Sequence, residues 1–174
     1  MDNKVLYKLV EEVEHRCRFA DLAFRQLQSS LNEQVPERVF LYTHALVDHL
    51  AALNGLLWPR RQDSLERGTK LREELKVADS SALNINTFRH QLTAEDESYE
   101  DWLKGLRDPN YVDVNLMPAS TMDGFSSDTF HRNLDPETLK FTYRDSTCDL
   151  KHAHDEAVNL LTTIDRWKRD HTPW

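Results

Sequence analysis

Glycine, proline and cysteine are scarce in this 174-residue chain, which contains four, six and two of them. Without a glycine-rich run, the chain has no phosphate-binding loop of the kind that many nucleotide-binding proteins use. The prolines fall at boundaries between apolar segments, a pattern that favours helices. Two cysteines, no CxxC motif and no signal-like N-terminus indicate a reducing, cytoplasmic setting.

Long hydrophobic runs are absent too, since no apolar stretch approaches the roughly 20 residues needed to cross a membrane. Positive charge is in short supply: 22 Lys and Arg stand against 30 Asp and Glu, giving a net charge of -8. Non-specific affinity for nucleic acid comes from Lys and Arg. A broad nucleic-acid surface is therefore excluded, whereas a small RNA site built from a few arginines is not.

Helical periodicity is what the chain has in abundance. Apolar residues recur at alternating steps of four and three through residues 3–33, which predicts a helix with one apolar stripe that lines its own bundle or, alternatively, a coiled-coil dimer seam. Residues 36–57 are apolar on several sides and predict a central helix. Further helices are predicted from Ser64 to about residue 77, over 81–106, and from about 146 to Asp170.

These patterns predict a single all-α domain over residues 1–174, a bundle of about five helices with a long irregular insertion at about 107–146. Inside the insertion, residues 111–116 alternate in a way that allows one short strand. Segments 131–134 and 139–143 flank a turn-forming Asp-Pro-Glu-Thr sequence and predict a short β-hairpin. The insertion is either functional or a cover for an apolar edge.

Three motifs occur in order between residues 53 and 102. They are LLWP, then RG followed by LR, and then FRHQLTAEDESYEDW. This order resembles a bacterial branch of the HEPN superfamily. HEPN domains are small α-helical bundles, often homodimers, and many are metal-independent ribonucleases whose site combines an arginine, a polar residue and a histidine. The resemblance therefore implies a helical bundle, a homodimer and an RNA-directed site.

Laid on the family pattern without a gap, Arg89 takes the place of the arginine and His90 the polar place beside it. Asp96-Glu97 match the acidic pair, and Trp102 matches the tryptophan. The resemblance thus implies Arg89 and His90 as candidate catalytic residues, and Arg89, Asp96 and Trp102 as candidate binding residues. The family's catalytic histidine falls on Ala94, which cannot transfer the proton of a ribose 2′-hydroxyl.

Other interpretations carry less weight. His44 and Asp48 lie one helical turn apart, but a third metal ligand at that spacing is missing, so no metal and no cofactor are expected. Arg89 either binds phosphate or forms an ion pair, and the acidic run after it is more simply a solvated helix face.

The sequence favours a catalytically degenerate, dimeric module that binds RNA or a protein and is not membrane-bound, with Arg89 near the two-fold axis. The alternative is an active metal-independent endoribonuclease that uses Arg89 and a relocated histidine, for which His90, His152 and His154 are candidates.

Overall fold

The structure, a computed structural model, describes residues 2–92, 95–106, 111–121, 125 and 129–171, with the side chains of Glu95 and Ala119 excepted. The described chain forms two compact units. The helical unit comprises Met1–Ile85 and His152–Trp174, and the sheet unit comprises Asn86–Lys151. Within the described ranges, no helix is both long enough and apolar enough to span a membrane.

Six helices and four strands make up the regular structure of the described residues. The helices are α1 (Asn3–Glu33), α2 (Pro36–Leu57), α3 (Leu65–Leu75), α4 (Asn86–Leu92), α5 (Glu95–Gly105) and α6 (Leu150–Asp170). The strands are β1 (Val112–Asn115), β2 (Phe130–Leu134), β3 (Lys140–Tyr143) and β4 (Ser146–Asp149).

The helical unit is built on the hairpin of α1 and α2, both predicted from periodicity. Asp2 caps α1, because its carboxylate accepts a hydrogen bond from the Lys4 N–H at 3.3 Å. Gln34 ends the helix in the left-handed region with a φ of 57°, and Pro36 opens α2 in the first turn, where proline fits best. The predicted stripe of α1 is buried at Leu6, Val10, Val13, Cys17, Ala20, Phe24 and Leu27.

The LLWP and RG motifs meet where α3 packs against the end of α2. A Cβ atom placed on Gly68 would lie 2.8 Å from the Leu57 carbonyl oxygen and 2.9 Å from Pro59 Cγ. Real side chains do not tolerate such distances, so only glycine allows this approach. The glycine of the motif therefore serves packing of the helical unit.

The arginine of the LR pair serves the same junction. Arg72 donates a hydrogen bond to the Leu57 carbonyl oxygen, one of the acceptors left over where α2 ends. Its guanidinium also lies 5.5 Å from the Trp58 ring centroid and 3.1 Å from Asp79 Oδ1. Asp79 accepts a further hydrogen bond from Trp58 Nε1. Both motifs thus have a structural role in closing α3 onto α2.

The sheet unit is a four-stranded mixed sheet in the order β1-β2-β3-β4. β1 runs parallel to β2, whereas β2–β3 and β3–β4 are antiparallel. The predicted hairpin is present as β2 and β3, and its turn is held by Asp135, which accepts hydrogen bonds from the N–H groups of Glu137 and Thr138. Leu134 and Phe141 pair in register and are both buried.

The all-α prediction is wrong, because the chain carries this sheet beside its helices. Strands β1, β2 and β3 fall within segments predicted to be extended, but their pairing into one sheet together with β4 depends on tertiary contacts that a local pattern does not encode. Residues 146–149, assigned to the start of the last helix, instead pair with β3 as β4. The predicted helix over 81–106 is likewise replaced by two shorter helices, α4 and α5. Within the segment 107–146, the predicted strand and the predicted hairpin are present as β1 and as β2 with β3.

Candidate functional site

Polar and aromatic side chains from four elements of the sheet unit converge on His131. We call them the His131 cluster. Its members are Tyr99 and Trp102 of α5, Asp113 of β1, His131 and Arg132 of β2, and Arg144 of the turn between β3 and β4. Tyr99 and Trp102 are three residues apart, which puts them on one face of α5.

Strand register brings Asp113 to His131. Val112 pairs with Phe130 and Val114 with Arg132, so Asp113 and His131 lie opposite each other and share a face of the sheet. The distance from His131 Nδ1 to Asp113 Oδ1 is 2.8 Å. Arg132 Nη1 approaches the same carboxylate oxygen at 2.6 Å. Asp113 is thus the acceptor that orients both neighbouring basic side chains.

The hydrogen bonds assign the tautomer of His131. A carboxylate only accepts hydrogen bonds, so Nδ1 carries the proton that it donates to Asp113. The 2.9 Å distance between Arg132 Nη1 and His131 Nδ1 then reflects two donors that converge on one oxygen. Burial, the largest influence, lowers the pKa of His131 below its ordinary 6.5, as do Arg132 and Arg144, against the opposing effect of Asp113. At neutral pH the imidazole is uncharged, and Nε2 keeps its lone pair.

Nε2 is the unusual atom of the cluster. His131 is only 3% exposed, and Nε2 is buried with no hydrogen-bond partner among the residues that the structure describes. A buried polar atom in this state costs about 1–3 kcal/mol. The ring is fixed by the aromatic side chains of α5, at 4.3 Å and 16° from the Tyr99 ring and at 5.3 Å and 27° from the Trp102 ring.

Among the residues of the sheet unit that the structure describes, Arg144 is the most deeply buried charged side chain, with 1% of its surface exposed. Its guanidinium lies 4.6 Å from the Tyr143 ring centroid and 5.2 Å from that of Tyr99, and Nη2 donates to the Tyr143 hydroxyl at 3.1 Å. The backbone φ of Arg144 is 58°, a left-handed conformation that costs a non-glycine residue about 1–2 kcal/mol. The turn holds this arginine in place despite that cost, as is common at functional sites.

A cavity of about 370 Å³ opens beside these groups, lined by Asp96, Tyr99, His131, Arg132 and Arg144. The two guanidinium groups are hydrogen-bond donors with permanent positive charge, and neutral His131 is an acceptor. The Tyr99 ring adds an apolar face. The arrangement is suited to hold a small anion, with an aromatic surface beside it.

The residues implied by the HEPN resemblance, Arg89, His90, Asp96 and Trp102, lie in the sheet unit, whereas the alternative histidines His152 and His154 lie in the helical unit. Asp96 lines the cavity, and Trp102 belongs to the aromatic stack on His131. Arg89 is half-buried and His90 exposed on α4, a helix tied to the Arg144 turn by a 2.7 Å hydrogen bond from Gln91 to Asp145. The position matched to the family's histidine, Ala94, lies outside the described residues.

Sequence reasoning missed His131, Arg132, Arg144 and Asp113. A signal existed, because two consecutive basic residues stand in the middle of a strand whose ends, Phe130 and Leu134, are fully buried. No pattern in the sequence marked Arg144 as a site residue. Its position depends on the turn between β3 and β4, and β4 was not predicted.

A second histidine–aspartate pair lies in the helical unit and differs in its surroundings. His154 Nε2 lies 3.1 Å from Asp21 Oδ1, and Nδ1 lies 3.2 Å from Asp155 Oδ1. The ring stacks on Phe24 at 3.9 Å and 11°. Both ring nitrogens already have partners, so this histidine is a structural element. Among the described residues, no group of three or more potential ligands is placed to hold a metal ion.

Comparison with known proteins gives no family model, no curated protein and no solved structure that matches this chain. The geometry of the His131 cluster and the residues that carry the HEPN resemblance are therefore the basis for a function.

Proposed function

We propose that this protein is a HEPN-related RNA-binding module of regulatory function, which holds RNA at the His131 cluster and does not cleave it efficiently. The observation that carries the proposal is a single cavity lined by Arg132, Arg144, His131 and Tyr99. Arginine pairs and exposed aromatic faces are the groups with which proteins hold the phosphates and bases of single-stranded nucleic acid.

The charge balance supports a small site. A net charge of -8 gives no broad attraction for a polyanion, so affinity has to come from the few arginines at the cavity. Arg132 is one-quarter exposed and shares Asp113 with His131, which fixes its direction. Arg144 is held between two tyrosine rings. Such pre-positioned guanidinium groups lose little side-chain entropy on binding an anion.

Weak or absent cleavage follows from the position of the proton-transfer groups. Ala94 takes the place of the histidine in the family pattern, so the group that the family uses for proton transfer is absent at that position. General acid–base catalysis contributes about 10²–10⁴-fold to a rate, and its loss leaves binding without turnover.

The second candidate function is metal-independent RNA cleavage with a relocated histidine, and the Asp113–His131 pair is the observation that favours it. Asp113 holds the ring so that unprotonated Nε2 is available as a base. RNA cleavage by the purified protein in EDTA tests this candidate. Cleavage that is abolished by both Arg89→Ala and His131→Asn would establish it in place of simple binding.

The proposal includes self-association. HEPN-like domains commonly pair through the arginine segment, and this chain keeps the order of that segment from Arg89 to Trp102. We therefore expect a homodimer with Arg89 near its two-fold axis. Light scattering at micromolar concentration should give twice the mass of one chain. For Arg89→Glu, the measured mass should fall toward that of a single chain. If no RNA binds, the remaining proposal is a module that binds a protein partner.

Binding of a fluorescent single-stranded RNA, followed by anisotropy at several salt concentrations, tests the proposed function. We expect Arg132→Gln to weaken binding about tenfold to a hundredfold, the value of one lost charge-assisted contact, and to reduce the salt dependence. The matched control is Arg25→Gln, which removes an arginine exposed on α1 and paired with Asp21. Equal binding by both variants and the unchanged protein would refute the site.

A further inference from the structure

We propose that the cavity beside His131 takes a phosphomonoester, as found at a phosphorylated end of an RNA chain, in preference to the phosphodiester of an internal linkage. This inference rests on the proposed RNA binding and narrows it to one chemical group. It is carried by the combination of two fixed guanidinium donors with a buried acceptor in one cavity.

The donors favour a group with high charge and several oxygens. A phosphomonoester carries a charge of about -1.5 to -2 near neutral pH and three acceptor oxygens, whereas an internal phosphodiester carries a single charge and two free oxygens. Arg132 and Arg144 line the cavity from a strand and from a turn, so they offer donors from two elements. Three oxygens satisfy two such guanidinium forks better than two oxygens do.

The acceptor groups of the cavity discriminate more strongly between a phosphomonoester and a phosphodiester. His131 Nε2 presents a lone pair, and the Asp96 carboxylate lines the same cavity. Either of them repels a fully deprotonated oxygen and accepts a hydrogen bond from a P–OH group. A phosphomonoester gains this proton near pH 6, but a phosphodiester remains deprotonated at any physiological pH. The lone pair of Nε2 thus finds its missing partner in a protonated monoester.

Binding must therefore take up one proton. The complex holds a proton between phosphate and imidazole, either as P–OH with neutral His131 or as a dianion with charged His131. Asp113 of β1, Arg132 of β2, Arg144 of the turn, Tyr143 of β3 and Tyr99 of α5 are the ionisable groups that face this ring. We assign the proton taken up to the phosphate–imidazole pair.

The cavity also fits the ligand in size. Its volume of about 370 Å³ lies in the lower part of the range typical of small-ligand pockets. That volume accommodates a phosphate group together with part of the nucleotide that carries it. Tyr99 lines the same cavity, so a base or ribose of the bound nucleotide would lie against this side chain.

The test compares three single-stranded RNAs of identical sequence, each with an internal dye. One has hydroxyl groups at both ends, one a 5′-phosphate and one a 3′-phosphate. We expect one of the phosphorylated RNAs to bind at least about tenfold more tightly than the hydroxyl form, and its Kd to rise about tenfold from pH 7 to pH 8 because one proton is taken up. Inorganic phosphate should compete, whereas sulfate, which carries no proton at this pH, should compete poorly.

His131→Asn is the informative variant, because the asparagine amide can still donate to Asp113 while the acceptor at Nε2 is lost. It should abolish the end preference and the pH dependence, whereas His15→Asn, at an exposed position of α1, should change neither. Circular dichroism establishes whether each variant is folded. If His131→Asn does not fold, binding of the three RNAs to the unchanged protein still tests the preference for a phosphorylated end.

The outcomes separate this inference from the function on which it rests. Equal binding of all three RNAs, reduced in Arg132→Gln, would overturn the phosphomonoester preference and leave RNA binding intact. Direct binding of inorganic phosphate, measured by calorimetry, without binding of any RNA would overturn the proposed RNA function and leave the anion site. Binding that does not change between pH 7 and pH 8 would overturn proton uptake and, with it, the role of Nε2.

Discussion

His154 of the helical unit and His131 of the sheet unit differ in how their ring nitrogens are bonded. In the helical unit, Glu14 accepts hydrogen bonds from Arg18 at 2.7 Å and from Lys168 at 2.8 Å, and both nitrogens of His154 face carboxylates. In the sheet unit, His131 has one nitrogen on Asp113 and a second that is buried without a described hydrogen-bond partner.

The comparison shows that a histidine–aspartate pair does not define a site by itself. The other neighbours of the histidine ring decide whether the pair belongs to a site. Around His154 these are a second carboxylate and a phenylalanine ring, which complete the histidine's bonding. Around His131, besides the carboxylate of Asp113, they are two arginines and a cavity, and they leave one acceptor of the ring without a described partner. A buried acceptor without a partner on a residue that lines a cavity therefore marks the candidate site.

The largest effect on stability is expected at Gly68. Gly68→Ala should lower the free energy of unfolding by about 3 kcal/mol, the upper end for overpacking, because the new Cβ would meet the Leu57 carbonyl and the Pro59 ring. Urea denaturation measures this change. The matched control is Gly105→Ala, where no described atom lies within 4 Å of the added Cβ; this variant should be neutral or slightly stabilising. Equal effects of the two variants would contradict the structural role of the RG motif.

A smaller effect is expected when the paired charges of the helical unit are broken. Glu14→Gln should lower the free energy of unfolding by about 1–2 kcal/mol, because Arg18 and Lys168 lose their charged acceptor. RNA affinity should remain unchanged, since Glu14 belongs to the helical unit and His131 to the sheet unit. The variant thus tests whether stability and binding belong to different units, and a loss of RNA affinity comparable to that of Arg132→Gln would contradict the division.

The pH dependence of Glu14 has a definite sign. Burial opposes its ionisation, but hydrogen bonds from Lys168 and Arg18 outweigh burial and hold the pKa of Glu14 below its ordinary 4.5. Its contribution to stability is therefore present above pH 4.5 and is lost as the pH falls through the lowered value. The pKa of Glu74 is lowered too, first by its hydrogen bond from Lys70, so the difference in acid denaturation between the unchanged protein and Glu14→Gln isolates the Glu14 share.

The smallest effect is the contribution of His131 to stability. Burial lowers its pKa below 6.5, so the unfolded chain binds a proton at a pH where the folded protein does not. The free energy of unfolding should therefore fall as the pH drops below 6.5, by at most about 1.4 kcal/mol per pH unit. Burial lowers the pKa of His49 too, so the difference between the unchanged protein and His131→Asn isolates the His131 share. If the difference in free energy of unfolding between the two proteins did not vary from pH 7 to pH 5, the lowered pKa of His131 would be contradicted.

The sequence predicted the helical unit far better than the sheet unit, for a physical reason. The stripe from Leu6 to Leu27 repeats over many helical turns, and Pro36 marks where α2 begins, so local signals accumulate. Strand β4 has four residues and is defined by its pairing with β3, a contact that no local pattern encodes. The helical prediction for residues 146–149 failed for this reason.

The candidate site likewise contains residues that the sequence indicated and residues that only the tertiary structure brings together. Asp96 and Trp102, chosen through the HEPN resemblance, line or border the His131 cluster, because they share α5 with Tyr99. Asp113 and His131 meet only through the parallel register of β1 and β2, and Arg144 reaches Tyr99 only through the turn between β3 and β4. Such meetings depend on tertiary structure and were not available to a sequence pattern.

The most direct test of the central claim follows the imidazole signals of His131 and His154 by nuclear magnetic resonance during a titration with inorganic phosphate at pH 7. His131→Asn and His154→Asn assign the two sets of signals. The account predicts a saturable shift of the His131 Nε2 resonance toward that of a hydrogen-bonded or protonated nitrogen, with no change at His154, whose nitrogens already face carboxylates. Unchanged His131 signals, or equal shifts at both histidines, would contradict an anion site at the His131 cluster.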